Sequence, residues 1–333
     1  MSTTVAAYQL VETDEGVRGR HTRIPLEDLG EGDVLIRVTH SSVNYKDGLA
    51  ATGRAPIARR LPLVGGCCAA GTVVEPGESG LPADTVVAVV GATLSEQHNG
   101  GYCEYLRVPA AWVVAVPEAF TSRQAAAIGT AGVTSAMAVV KLEDAGVTPE
   151  SGPIAVTGAS GGAGSLAVAL LAARGYEVTA LTGKPEAEDL LRDLGAANVA
   201  PRPDTSGTRP LERGTWAGAV DTVGGDTLAW LTRTVAPGGS IAAFGNAGGN
   251  RLTTTVLPFI LRGINLLGVT VTFPAAELRE RVWELLASSL SREALDAIAT
   301  DVDFEDLDDA LRRIVTTGVV GRQVVRIGGE AAV

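Results

Sequence analysis

The chain has 333 residues, more than one compact core usually accommodates, so two domains are expected. Hydrophobic residues at 46% and charged residues at 20% exclude a disordered or fibrous chain, and aromatics at 4% leave Ala, Val, Leu and Ile to build the core. A formal charge of −11 repels phosphate backbones and argues against nucleic acid as a partner, while a local cluster of donors still suits a phosphorylated cofactor.

Up to about residue 125, short β-like runs (Val34 to Thr39, Thr72 to Val74, Thr85 to Val90, Tyr105 to Val108) alternate with Gly, Pro and Asp turns, the texture of a partly open β-barrel. From there to about residue 272 strands and helices alternate. Pro153 to Thr157 reads as a strand, Ser165 to Arg174 as a helix, Tyr176 to Leu181 as a strand and Glu186 to Leu194 as a helix. Ala217 to Thr222, Ser240 to Phe244 and Asn265 to Thr270 supply further strands. Apolar strands in this order imply a parallel sheet covered on both faces. The last segment carries helices around Glu277 to Ala287 and Asp306 to Thr317 and ends in the strand Gln323 to Ile327. It is expected to fold back on the first domain. The first twenty residues contain Asp14 and Glu15 and no long apolar run, so no signal peptide is expected, and the lack of any uninterrupted apolar stretch of about 18 residues argues against a membrane span. Cys67, Cys68 and Cys103 are too few for a disulfide framework, and the reading is cytoplasmic.

The run Thr157-Gly158-Ala159-Ser160-Gly161-Gly162-Ala163-Gly164-Ser165 follows the first strand of the alternating region. A glycine-rich turn between strand and helix lets the backbone of Ser160, Gly161, Gly162, Ala163 and Gly164 approach a pyrophosphate at the helix N-terminus. Glycine turns end many strands, so the motif gains its weight from its place at the start of a βαβ unit. An NAD site usually has Asp or Glu at the end of the second strand. Here Thr182-Gly183-Lys184 stands there instead, and a hydroxyl, a backbone N–H and an ammonium suit the 2′-phosphate of NADPH. The plainer reading of Lys184 is a solvated surface lysine. Only His21, His40 and His98 are available beside the three cysteines, and none has ligand spacing around it, so no metal is expected.

Asn44-Tyr45-Lys46-Asp47, His98-Asn99-Gly100-Gly101, Ile128-Gly129-Thr130-Ala131-Gly132, the glycine turn, Asp221-Thr222-Val223-Gly224 and Pro258-Phe259-Ile260-Leu261-Arg262 follow one another in order. In this series the whole chain resembles the acrylyl-CoA reductase branch of the quinone oxidoreductase-like, medium-chain dehydrogenase/reductase superfamily. The resemblance implies an α/β protein with a GroES-like, partly open β-barrel catalytic domain (residues 1–124, completed by 273–333). It also implies a doubly wound Rossmann domain (125–272), NADPH, no zinc and a homodimer. In zinc-dependent relatives the place of Asn44 carries a cysteine ligand, and Cys67-Cys68 is His-Glu. The family usually reads Gly-Ile-Asp before a bulky residue where this chain has Gly66-Cys67-Cys68-Ala69, and tends to carry Trp at the places of Ala92 and Asn99. These departures suggest a wider pocket lined by Cys68, Ala92 and Asn99 and a substrate bulkier than acrylyl-CoA, or else compensating packing elsewhere.

Such a resemblance implies reduction of a carbon–carbon double bond conjugated to a carbonyl, with a small molecule, possibly a coenzyme A or carrier thioester, as substrate. Hydride reaches the β-carbon, the enolate oxygen needs fixed donors, and the α-carbon needs a proton. The Asn44 amide is the candidate donor and Tyr45 the candidate acid, although Tyr45 also reads as a pocket wall and Lys46 and Asp47 as a surface ion pair. Thr130 is expected beside the nicotinamide, Thr222, Val223 and Asn246 along the cofactor. Arg262 and Arg322 are expected at phosphates of NADPH or coenzyme A, with Arg262 toward the substrate. Three alternatives stay open: a quinone or enone reductase, a biosynthetic tailoring reductase, and a catalytically silent NADPH-binding regulatory or structural protein.

Overall fold

The computed structural model describes residues 3–316 and 318–328, and the chain divides into two compact units. The first comprises residues 1–130, 271–273 and 299–333, and the second 131–270 and 274–298.

The first unit is built from antiparallel strands. Its long central strand, Val34–Val43, pairs with Cys68–Glu75, with Tyr105–Val108 along its first half and with Arg322–Arg326 at its far end. Val86–Val90 and Val113–Ala115 extend the sheet on one side, and Ala299–Asp303 extends it on the other, parallel to Arg322–Arg326. Irregular register in Val34–Val43, at Leu35/Ile36 and Val38/His40, marks the bulges that bend this strand and let it serve several partners. A hairpin, Thr4–Thr13 with Gly16–Pro25, forms a smaller sheet that sequence reading did not pick out. The helix read to Thr317 runs Leu307–Ile314 after a short 3-10 turn, and Thr317 itself lies outside the described residues.

The second unit carries a six-stranded sheet whose neighbours are all parallel. Its order is Asn198–Pro201, Val178–Thr182, Ile154–Thr157, Trp216–Asp221, Val235–Ala243, Asn265–Gly268. In chain order this is 3-2-1-4-5-6, so the direction of winding reverses between Ile154–Thr157 and Trp216–Asp221. A doubly wound sheet opens its binding crevice at that reversal, at the carboxyl ends of the two strands. The first helix begins at Gly162, three residues before the expected start, because Gly161 caps it and the low helix propensity of glycine hides the first turn from sequence reading.

Helices Ala276–Ser289 and Arg292–Ile298 belong to this second unit, a correction to the expectation that residues 273–333 complete the first. The reason is hydrophobic. Val282, Trp283, Leu285 and Leu286 form a buried face, and both helices pack on Gly162–Ala173. The 23-residue segment Ser122–Asp144 is apolar and long enough to cross a membrane by composition, yet most of it is buried in the protein and its backbone breaks helical geometry at Gly129.

Candidate active site

In the second unit the two strands at the winding reversal are tied at their ends. Thr157 donates its hydroxyl to Asp221 Oδ1 (2.6 Å), and Thr222 donates its hydroxyl to the Thr157 carbonyl (2.8 Å) and its N–H to Thr157 Oγ1 (3.1 Å). Asp221 is fully buried, which pushes its pKa up, and it accepts the N–H of Gly224 at 2.8 Å. These bonds fix the turn Gly158–Gly161 beneath Thr222 and Val223. Gly158 has φ +60°, and a Cβ there meets Thr222 Oγ1 at 2.5 Å. A Cβ on Gly164 meets the Gly158 carbonyl at 2.3 Å. Only glycine fits either place, and the result is a bare-backbone cradle at the mouth of a 12-residue helix, with Gly161, Gly162 and Ala163 half-exposed.

At the end of Val178–Thr182 the Thr182 hydroxyl donates to Ser160 Oγ (2.7 Å) and accepts the N–H of Lys184 (3.1 Å), which joins the second strand to the cradle. Arg202, from the loop after the third strand, lies over Gly183, where a Cβ would strike its guanidinium. Partial burial lowers the pKa of Lys184, and Arg202 adds to this against the pull of Glu186. Arg202 has no carboxylate within 4.0 Å among the described residues. Two cations therefore gather where an NAD site would hold an acid. Sequence reading missed Arg202, since it lies beyond an intervening helix and strand and nothing local marks it.

In the first unit Asn44 precedes helix Tyr45–Ala51, and its N–H is accepted by Asp47 Oδ2 (3.1 Å) in the manner of a capping box. The Asn44 amide faces inward. Its Nδ2 donates to Asp47 Oδ2 (3.0 Å), to the Ser42 carbonyl (3.1 Å) and toward Cys67 Sγ (3.2 Å), and its Oδ1 accepts from Arg322 Nη1 (3.1 Å). Asp47 is 2% exposed and also takes the Tyr102 hydroxyl (3.2 Å) and the Cys67 N–H (3.0 Å). Burial pushes its pKa up, against these donors and Lys46. Tyr102 and Ser42, both buried, are parts of this cluster that sequence reading missed. Thr130, half-exposed, donates its hydroxyl to the Cys67 carbonyl (3.2 Å). The Tyr45 hydroxyl, by contrast, has no hydrogen-bond partner among the described residues, and the residue is half-exposed.

Residues 30–118 match the family model of the alcohol dehydrogenase GroES-like domain, and residues 162–288 that of the zinc-binding dehydrogenases. The chain is 43% identical over 307 residues to acrylyl-CoA reductase AcuI of Ruegeria pomeroyi, covering 92% of this chain and 93% of that protein. It is 40% identical over 330 residues to the putative quinone oxidoreductase YhfP of Bacillus subtilis, covering 98% of this chain and 100% of that one. The crystal structure of YhfP, with NAD bound, superposes with a TM-score of 0.91. An oxidoreductase of Salmonella enterica in complex with NADP gives a TM-score of 0.94 at 40% identity, covering 97% of this chain and 100% of that one. The chain belongs to the medium-chain dehydrogenase/reductase superfamily, in its acrylyl-CoA reductase and quinone oxidoreductase-like branch.

Several expected site residues are used otherwise than the family resemblance suggested. Asn44, at the zinc-ligand place of this superfamily, has both amide hydrogens committed to buried acceptors and offers no donor to an enolate, so it positions the helix of Tyr45. Lys46 and Asp47 are not a surface pair: Lys46 binds Glu96 (2.6 Å), and Asp47 is interior. Arg322 is 4% exposed, and its guanidinium is taken up by Ala127, Val43, Asn44 and Ser42 within the first unit. Arg262 donates to the carbonyls of Glu212, Arg233 and Val235 and braces the sheet of the second unit. Asn99 accepts the Val64 N–H (3.0 Å) and donates to the carbonyls of Asp28 (3.1 Å) and Leu29 (2.9 Å), which makes it a buried loop bracket. Ala92 and Cys68 are buried as well, so the side chains at these three places lie in the interior. Asn246 is exposed and lies beside Gly224. Among the described residues no group of three or more His, Cys, Asp or Glu side chains is arranged to hold a metal ion.

Proposed function

We propose that this chain is an NADPH-dependent reductase that saturates the carbon–carbon double bond of an α,β-unsaturated carbonyl compound, with an enoyl thioester of the acrylyl-CoA type as substrate. The observation that carries the reading is the pair Lys184 and Arg202, set beside the Thr182 hydroxyl and the glycine cradle, where a carboxylate would serve NAD. The cradle fits a dinucleotide: backbone N–H groups of residues 160–164 take the pyrophosphate, Thr222, Val223 and Asn246 line its course, and Lys184 and Arg202 take the 2′-phosphate. Thr130 is assigned to the nicotinamide end. When bound, NADPH supplies the hydride that reaches the β-carbon.

The chain's own chemistry then rests on Tyr45. Its phenol is the uncommitted donor at the head of a helix that Asn44, Asp47 and Arg322 hold in place. It hydrogen-bonds the enolate oxygen as charge develops, and its proton passes to the α-carbon as the enolate returns to the carbonyl. The name of the Ruegeria relative favours the thioester, and that of the Bacillus relative favours a quinone or enone. A substrate panel decides between them. NADPH consumption with acrylyl-CoA should fall steeply when the thioester carrier is truncated, because remote binding energy is spent at the reacting carbon. Equal use of carrier-free enones or quinones would contradict the thioester assignment.

A homodimer belongs to the same proposal. The edge strand Asn265–Gly268 and the adjoining Val256, Ile260 and Leu261 (65%, 68% and 63% exposed) leave open backbone and apolar surface that a second copy, related by a two-fold axis, would cover. Light scattering should return twice the chain mass and a single chain mass for Ile260→Glu. A monomeric parent protein would contradict it. The three free, buried cysteines fit a reducing compartment, and we assign the enzyme to the cytoplasm.

A further inference from the structure

Arg322 is a buried cation with an unusual set of partners. Its guanidinium donates to the carbonyls of Ala127 (2.9 Å) and Val43 (3.2 Å), to Asn44 Oδ1 (3.1 Å) and to Ser42 Oγ (2.5 Å). All four acceptors are neutral, and among the described residues no carboxylate lies within 4.0 Å of it. A charge buried this deeply demands an opposite one nearby, since neutral acceptors alone do not repay the loss of its hydration.

The groups packed around the guanidinium point to the place of that opposite charge. Ser42 Oγ accepts from Arg322, and Cys68 Sγ stands 3.1 Å from the same oxygen, within reach of the Ser42 hydroxyl hydrogen. Cys68 is 1% exposed. Its sulfur, Ser42 Oγ and Arg322 Nη2 all lie within 3.2 Å of the point where Gly129 would carry a Cβ, so the three groups converge on one spot. Gly129 has φ +43° there and breaks the helix, which keeps the space clear. The carbonyl within reach of a Cys68 S–H is that of Ser42, at 4.0 Å, and it already takes Asn44 Nδ2 and the Tyr102 hydroxyl.

We propose that Cys68 is a thiolate in the working enzyme, the counter-anion of Arg322, and that this ion pair is a positioning element that holds Asn44 and, through it, the head of the Tyr45 helix. The neighbouring thiol keeps its proton. Cys67 Sγ stands 3.5 Å from the Asp47 carboxylate, whose charge holds the proton on that sulfur, while Cys68 stands on the side of the cation. The charged and titratable groups around the pair are Arg322, Asp47, Lys46, Cys67 and Tyr102. The Cys68 pKa is lowered from 9.0 to about 6, first by the hydrogen bond from Cys67 and then by Ser42 and Arg322, against burial and Asp47. A depressed thiol pKa makes the pair's contribution to folding complete above the ordinary thiol value of 9.0 and lost as pH falls through about 6.

The test combines the ultraviolet thiolate band (about 240 nm) with a pH profile of kcat, using the full chain. The difference spectrum between the parent protein and Cys68→Ser should show one thiolate at neutral pH that vanishes on acidification near pH 6. Cys103→Ser should leave the band in place. In the kinetic arm, which rests on the reductase reading, Cys68→Ala should lower kcat by roughly 10- to 100-fold with the KM for NADPH unchanged. Cys68→Asp, which restores an anion, should recover most of the turnover and move the acid limb of the profile to lower pH. Absence of the band at neutral pH overturns the charge assignment whatever the kinetics show. A band present while Cys68→Ala keeps the parent kcat and pH profile overturns the positioning role. Failure of the reductase reading leaves the spectroscopic arm intact, so the two ideas fail separately.

Discussion

Replacing Tyr45 with Phe should lower kcat by roughly two to four orders of magnitude, the usual span for loss of a placed general acid, with the KM for NADPH unchanged. The substitution removes one oxygen that bonds to nothing else in the described structure, so it costs the fold little. The glycine cradle, Lys184 and Arg202 belong to the second unit and Tyr45 to the first, so NADPH affinity and turnover should separate in steady-state kinetics. A Tyr45→Phe enzyme with parent-like turnover would place the proton and the enolate donor elsewhere.

The double variant Lys184→Ala, Arg202→Ala should lose about two to three orders of magnitude in kcat/KM for NADPH, while its use of NADH stays within severalfold. Each charge-assisted hydrogen bond to a phosphate contributes about 1.5–3 kcal/mol. The value for this pair falls at the low end of the sum, since Arg202 is exposed and screened by salt. Comparing kcat/KM for the two cofactors in parent and variant checks it. The test carries weight because close relatives differ: the Salmonella structure contains NADP and the Bacillus structure NAD. An unchanged preference for NADPH in the double variant would remove the physical basis for the cofactor assignment.

The parts of this molecule legible in its sequence are those whose physics is local. The glycine turn announces itself because a backbone that must approach the turn carbonyl at Gly164 and adopt φ +60° at Gly158 admits only one residue type. Thr182 and Lys184 were legible for a similar reason: the end of the second strand lies a fixed distance from the cradle along the chain. Arg322 was misread because its burial is decided by pairing between Arg322–Arg326 and Val34–Val43, a contact across most of the chain that no local pattern encodes. Asn99 was misread likewise. A polar residue in a glycine-rich loop resembles a ligand contact until the carbonyls of Asp28 and Leu29 are seen to claim it. Asn44 was found in the right place but with the wrong task, since only the positions of Asp47, Cys67 and Arg322 show that its amide points inward.

The central claim is that a dinucleotide held by the glycine cradle reduces a conjugated double bond at its β-carbon. The most direct measurement supplies NADPH deuterated at the transferable position of the nicotinamide, together with acrylyl-CoA, and locates the label in the saturated product. The account predicts one deuterium on the β-carbon and a solvent-derived hydrogen on the α-carbon. Label at the carbonyl carbon, or no oxidation of NADPH by any conjugated carbonyl, would contradict it.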